Sequence, residues 1–110
     1  LTGGLELKTT RTNADALDRM RSEGKDFFLL FTAKWCGYCA ALKRELEAAP
    51  DDFLLYEIDI SDEASHAWDE YGIRVVPTAI FFKGGKELSR RAASSSGLRV
   101  KDIMSLSSAP

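Results

Sequence analysis

The chain has 110 residues, 45% hydrophobic and 29% charged, a profile that fits one globular domain able to bury a core without staples or metals. Its 15 basic and 17 acidic side chains leave a formal charge of −2, so nucleic acid is not expected as a partner. No apolar stretch approaches the roughly 20 residues of a membrane span, and residues 1–110 read as a single domain without repeats, expected to act as a monomer.

Taken in chain order, Glu6 to Thr10 is a candidate edge strand. Thr12 with Asp15 three positions on fits a capping box. Ala14, Leu17 and Met20 then follow at helical spacing, with Gly24 as the stop. Phe27 to Phe31 shows no polar alternation, as expected of a strand covered on both faces. A second helix starts at Cys36 and carries Ala40, Leu42, Leu46 and Ala49, and Pro50 ends it. Phe53 to Ile60 reads as a strand, and Ala64, Ala67, Trp68 and Tyr71 as one face of a third helix closed by Gly72. Thr78 to Phe82, the turn Lys83-Gly84-Gly85-Lys86 and Glu87 to Arg91 form a hairpin. Val100, Ile103 and Met104 mark a last helix, started from the serines at 94–96. The order β-α-β-α-β-α-β-β-α predicts an α/β fold with helices on both faces. Its central sheet is expected to be mainly parallel, with a C-terminal antiparallel hairpin.

The only two cysteines, Cys36 and Cys39, stand three apart where the buried strand gives way to a helix. That placement suits reversible dithiol–disulfide chemistry. Two other readings stay open. A structural disulfide closing so short a loop stabilises by only about 2 kcal/mol. A zinc site needs about four ligands, and besides the two thiols the chain has a single histidine, His66. No metal or organic cofactor is therefore expected.

Four segments share an order and spacing: Phe31-Thr-Ala-Lys-Trp-Cys-Gly-Tyr-Cys39, Glu57-Ile-Asp-Ile60, Tyr71-Gly-Ile-Arg-Val-Val-Pro-Thr78 and Phe81-Phe-Lys-Gly-Gly85. Together they resemble the thioredoxin family over nearly the whole chain from the first helix onward. The resemblance implies the thioredoxin fold and a protein-disulfide oxidoreductase. Cys36, at the helix start where amides and the macrodipole favour negative charge, is the expected nucleophile, with Lys34 as a nearby cation. Cys39, more deeply placed, is the expected resolving thiol. The resemblance also implies a cis Val76-Pro77 peptide facing the cysteines, where Val76 backbone groups would pair with an extended substrate. Trp35, Gly37 and Tyr38 would complete the substrate-binding surface.

Several positions depart from the family pattern. Thioredoxins carry a buried aspartate six residues before the first cysteine; here that position is Leu30. The family position opposite it maps onto Glu57, expected to take the proton from Cys39; the alternative is a Glu57 that points into solvent. Gly37-Tyr38 replaces Gly-Pro and resembles the pair in bacterial periplasmic disulfide isomerases. A reduction potential above thioredoxin's roughly −270 mV is therefore expected, and equilibration with glutathione measures it. Near the end of the hairpin, Ala92 or Ala93 stands where the family has glycine, so a side chain would narrow the substrate groove. The start at Leu1 fits a trimmed or mature domain, and an extracytoplasmic (periplasmic) location is favoured over a cytoplasmic one.

The expected function is exchange of protein disulfides and dithiols, with a reductase or oxidase to recycle the pair. The alternatives are a redox-regulated binding module built on the groove beside Val76-Pro77, and an extracytoplasmic disulfide isomerase or reductant. His66, Arg90, Arg91 and the serine-rich turn at 94–96 read as solvated surface.

Overall fold

The structure is a computed structural model that describes residues 9–12, 14–48, 55–61 and 66–108. Its elements are β1 (Thr9–Arg11), α1 (Ala14–Ser22), β2 (Phe27–Thr32), α2 (Gly37–Ala48), β3 (Leu55–Asp59), α3 (Ala67–Glu70), β4 (Thr78–Lys83), β5 (Lys86–Ala92) and α4 (Val100–Ser105), followed by a short 3-10 turn. The element order matches expectation. Residues 6–8, 49, 50, 53, 54 and 64, which the expected elements included, lie outside the described residues, as does Asn13 within the expected capping box.

The five strands form one sheet in the order β1-β3-β2-β4-β5. β3 runs parallel to both β1 and β2, whereas β4 runs antiparallel to β2 and to β5. This corrects the expectation of a mainly parallel sheet. The sheet is mixed, and its antiparallel pairings join the larger number of residues. β3 ends beside Thr32 and β4 begins opposite Phe31, so the connection enters and leaves at the same end of the sheet. A strand that starts where the previous one finished must run the other way, and Phe82 ends beside Phe27.

All six residues of β2 are buried, and alternate side chains feed two cores. Phe27, Leu29 and Phe31 pack with Leu17, Ile60 and Tyr71 on one face. Phe28 and Leu30 pack with Leu42, Leu46 and Ile103 on the other. In α2 the inward face is Cys39, Leu42 and Leu46; Ala40, expected in the apolar pattern, is exposed. Spacings of three and four place Cys39 and Leu46 on either side of Leu42, which leaves Ala40 turned outward.

The serines at 94–96 do not start α4, a second correction. Gly97, with φ +91°, turns the chain, and Ser94 and Gly97 exchange backbone hydrogen bonds at 3.1 and 2.9 Å. The helix instead begins after Arg99, whose amide donates to the Asp102 carboxylate at 2.9 Å. At the hairpin, the Gly85 amide donates to the Lys25 carbonyl at 3.0 Å, and Arg21 Nε donates to the Gly85 carbonyl at 3.1 Å. A Cβ on Gly85 would overlap the Arg21 carbonyl, and the residue holds φ +82°. Gly85→Ala is accordingly expected to cost about 3 kcal/mol or more, combining left-handed strain with overpacking. Urea unfolding of the variant measures the loss.

Candidate active site

The carboxyl end of β2 delivers the chain through Ala33 and Lys34 to Cys36, and α2 begins at Gly37. Cys36 and Cys39 sit at disulfide distance, with Cα atoms 5.3 Å apart, inside the range that a disulfide bridges. Cys39 is 2% exposed and Cys36 9%. The Cys39 amide donates to Cys36 Sγ at 3.0 Å, so the sulfur takes the place of an N-cap oxygen on the third residue of the helix. The first turn of α2 carries no acidic side chain, so nothing there opposes the positive end of the macrodipole. On its other side Cys36 Sγ lies 3.5 Å from the Val76 carbonyl oxygen, which suits a protonated thiol. A hydrogen bond to an anion is roughly twice as strong as a neutral one. A thiolate at this position, once the pair is reduced, would have the Cys39 amide as a charge-assisted donor.

The Val76–Pro77 peptide is cis, and Val76 and Pro77 are both buried. The Val75 carbonyl is occupied by Thr78 Oγ1 at 2.6 Å, and Val75 itself is 38% exposed. Ala93 follows β5 and donates its amide to the Pro77 carbonyl at 2.9 Å, bringing the end of the hairpin against the proline.

Two exposed aromatics flank the cysteines. Trp35, 60% exposed, stacks on Trp68 with planes 4° apart and centroids 6.4 Å apart. Its indole donates to the Ser61 carbonyl at 3.3 Å, and the Trp68 indole donates to the Ile60 carbonyl at 3.0 Å. Ser61 Oγ also accepts the Lys34 amide at 2.7 Å, so the loop after β3 holds the approach to Cys36. Tyr38 donates its hydroxyl to the Ser95 carbonyl. Gly37 is exposed between the two aromatics, as is Lys34.

Glu57 stands opposite Leu30 across the β2–β3 pairing and is 4% exposed, so it does not point into solvent. Its carboxylate accepts the Thr32 hydroxyl at 2.6 Å and pairs with the Lys43 ammonium of α2. A buried charge needs such partners to be tolerated. Lys43 lies four residues after Cys39, one helical turn along α2. Sequence reasoning singled out Glu57 but missed Thr32, Lys43, Ser61, Trp68, Ser95 and Gly97. Of these only Lys43 carried a signal, its spacing from Cys39.

The sheet order and the cysteine pair at the head of α2 define a thioredoxin-like disulfide oxidoreductase. Comparison with known proteins agrees. The thioredoxin-like domain family matches residues 14–94. The thioredoxin of Mycoplasmoides gallisepticum is 36% identical over 83 residues, covering 73% of this chain and 82% of that protein. The rabbit (Oryctolagus cuniculus) protein disulfide-isomerase is 38% identical over 72 residues, 59% of this chain but only 14% of that much longer protein. Among solved structures, a thioredoxin of Halobacterium salinarum superposes with a TM-score of 0.68 at 28% identity, covering 88% of this chain and 84% of that one. The chain belongs to the thioredoxin family.

Proposed function

We propose that this protein exchanges disulfides with protein substrates, Cys36 attacking and Cys39 resolving. The observation that carries the reading is the Cys36 sulfur at the start of α2, receiving the Cys39 amide, with the second sulfur at bridging distance. Cys36 thiolate attacks one sulfur of a substrate disulfide, forms a mixed disulfide and expels the other substrate sulfur as thiolate. Cys39 loses its proton to Glu57 and attacks Cys36 Sγ. That step closes the Cys36–Cys39 disulfide and releases the second substrate thiol, so the substrate gains two electrons and the cysteine pair loses them. Run backwards, the same steps oxidise a substrate dithiol. A reductase or oxidase returns the pair to its working state.

The assignment of Cys36 to the first attack draws on exposure, since the outer sulfur is the one a substrate reaches first. Glu57 fits its role through burial and its place opposite Leu30 on the strand beneath α2. Trp35, Gly37, Tyr38, Val76 and Pro77 frame the groove that receives an extended segment of substrate. Insulin reduction by dithiothreitol tests the reading: the protein is expected to accelerate precipitation of the freed chains. A rate equal to dithiothreitol alone would leave a redox-regulated binding module as the better account.

A further inference from the structure

The serine-rich turn reads as plain surface in the sequence, yet separate contacts fasten it to the redox site. At its entrance, the Ala93 amide donates to the Pro77 carbonyl at 2.9 Å. At its exit, Glu45 of α2 accepts Arg99 Nε at 2.9 Å and the Val100 amide at 3.2 Å. In its middle, the Tyr38 hydroxyl donates to the Ser95 carbonyl across 57 positions of sequence. Gly97 completes the fit. It holds φ +91°, a conformation side chains rarely adopt, and a Cβ there would stand 3.1 Å from Cδ1 of the Tyr38 ring, so the ring would have to give by a few tenths of an ångström. Beneath them lies a largely apolar cavity of about 250 Å³ lined by Tyr38, Ala41, Leu42, Leu98 and Arg99.

We propose that Tyr38 straps the 94–97 turn beside the Cys36–Cys39 pair, making that turn a wall of the substrate groove that selects protein disulfides. The inference rests on the exchange reaction proposed above and adds a determinant of substrate choice to it. Tyr38 is the side chain between the two reactive cysteines that crosses to the turn, and its ring spends only two torsions on the contact. Ser95 and Ser96 at the crest are exposed beside it. A protein substrate laid along Val76 and Pro77 meets this wall because Ala93, bonded to Pro77, leads directly into it. A small disulfide reaches Cys36 without touching it. Gly97 is thus a positioning residue acting through the turn, and Tyr38 both frames the groove and holds the turn against it.

Tyr38→Phe keeps the ring and removes the donor. The expected result with insulin is a KM about fivefold higher at unchanged kcat, the scale of one lost hydrogen bond. Gly97→Ala presses against the ring and raises KM for insulin to a similar degree. On a small aromatic disulfide the Gly97→Ala protein, altered only in the turn, keeps its rate within about twofold of the parent protein. The double variant is no worse than the weaker single variant, because both changes release one strap. Equal losses on both substrates, no loss on insulin, or strictly additive losses each overturn the proposal. A parent protein inactive on both disulfides overturns the exchange reading itself, a result distinct from loss of the split.

Discussion

Cys36→Ser is expected to reduce turnover of protein disulfides to the background rate, whereas Cys39→Ser is expected to accumulate covalent adducts with substrate. The two serines test different steps. A hydroxyl at position 36 has no accessible anion near neutral pH, so the Cys39 amide and the α2 terminus have no charge to stabilise and no mixed disulfide forms. At position 39 the first attack is untouched, because the nucleophile and its acceptor contacts remain. What is lost is the second sulfur, placed at disulfide distance and 2% exposed, which no outside thiol replaces at comparable effective concentration. Mass spectrometry under non-reducing conditions, after acid quenching, reads both outcomes. An adduct on the Cys36→Ser protein instead of the Cys39→Ser protein would reverse the assignment.

Much of this arrangement is legible in the sequence because it depends on local pattern. The unbroken apolar run Phe27 to Phe31 identifies the central strand, and the run is buried throughout. The double glycine marks the hairpin, where both residues hold positive φ. The direction of β4 was not legible in the same way. Strand alternation implies crossovers, but whether a connection returns along the sheet depends on the path it takes, and helical periodicity places a helix face without fixing that path. The walls of the site are hidden for a related reason. Trp68 meets Trp35, and Ser95 meets Tyr38, only after α3 and the 94–97 turn, from distant parts of the chain, fold against the end of β2. Ser95 is a single side chain in a polar loop with no period to detect, and the period that places Trp68 on a helix face does not say which distant ring it will meet. Glu57 lies between these cases: its place opposite Leu30 follows from strand register, but its partners on β2 and α2 do not.

Those partners shape the second large effect. Glu57→Gln is expected to slow resolution of the mixed disulfide by about 100-fold, toward the lower end of what a positioned base contributes, while the first attack by Cys36 keeps its rate. Glutamine preserves the shape and can still accept the Thr32 hydroxyl, so the fold beneath α2 should hold. Lys43→Met asks a different question of the same pair. It strands a carboxylate that is 4% exposed without its cation. Breaking a fully buried pair costs about 3–5 kcal/mol, and the half-exposed lysine brings the expectation down to about 2 kcal/mol. Combining the two changes removes both charges at once. The double variant should therefore regain stability in urea while resolution stays slow, which separates proton transfer from charge balance. Quenched-flow alkylation of the mixed disulfide follows the first quantity and denaturation the second. Rapid resolution in Glu57→Gln would reduce Glu57 to a counter-charge for Lys43 and leave the Cys39 proton to solvent.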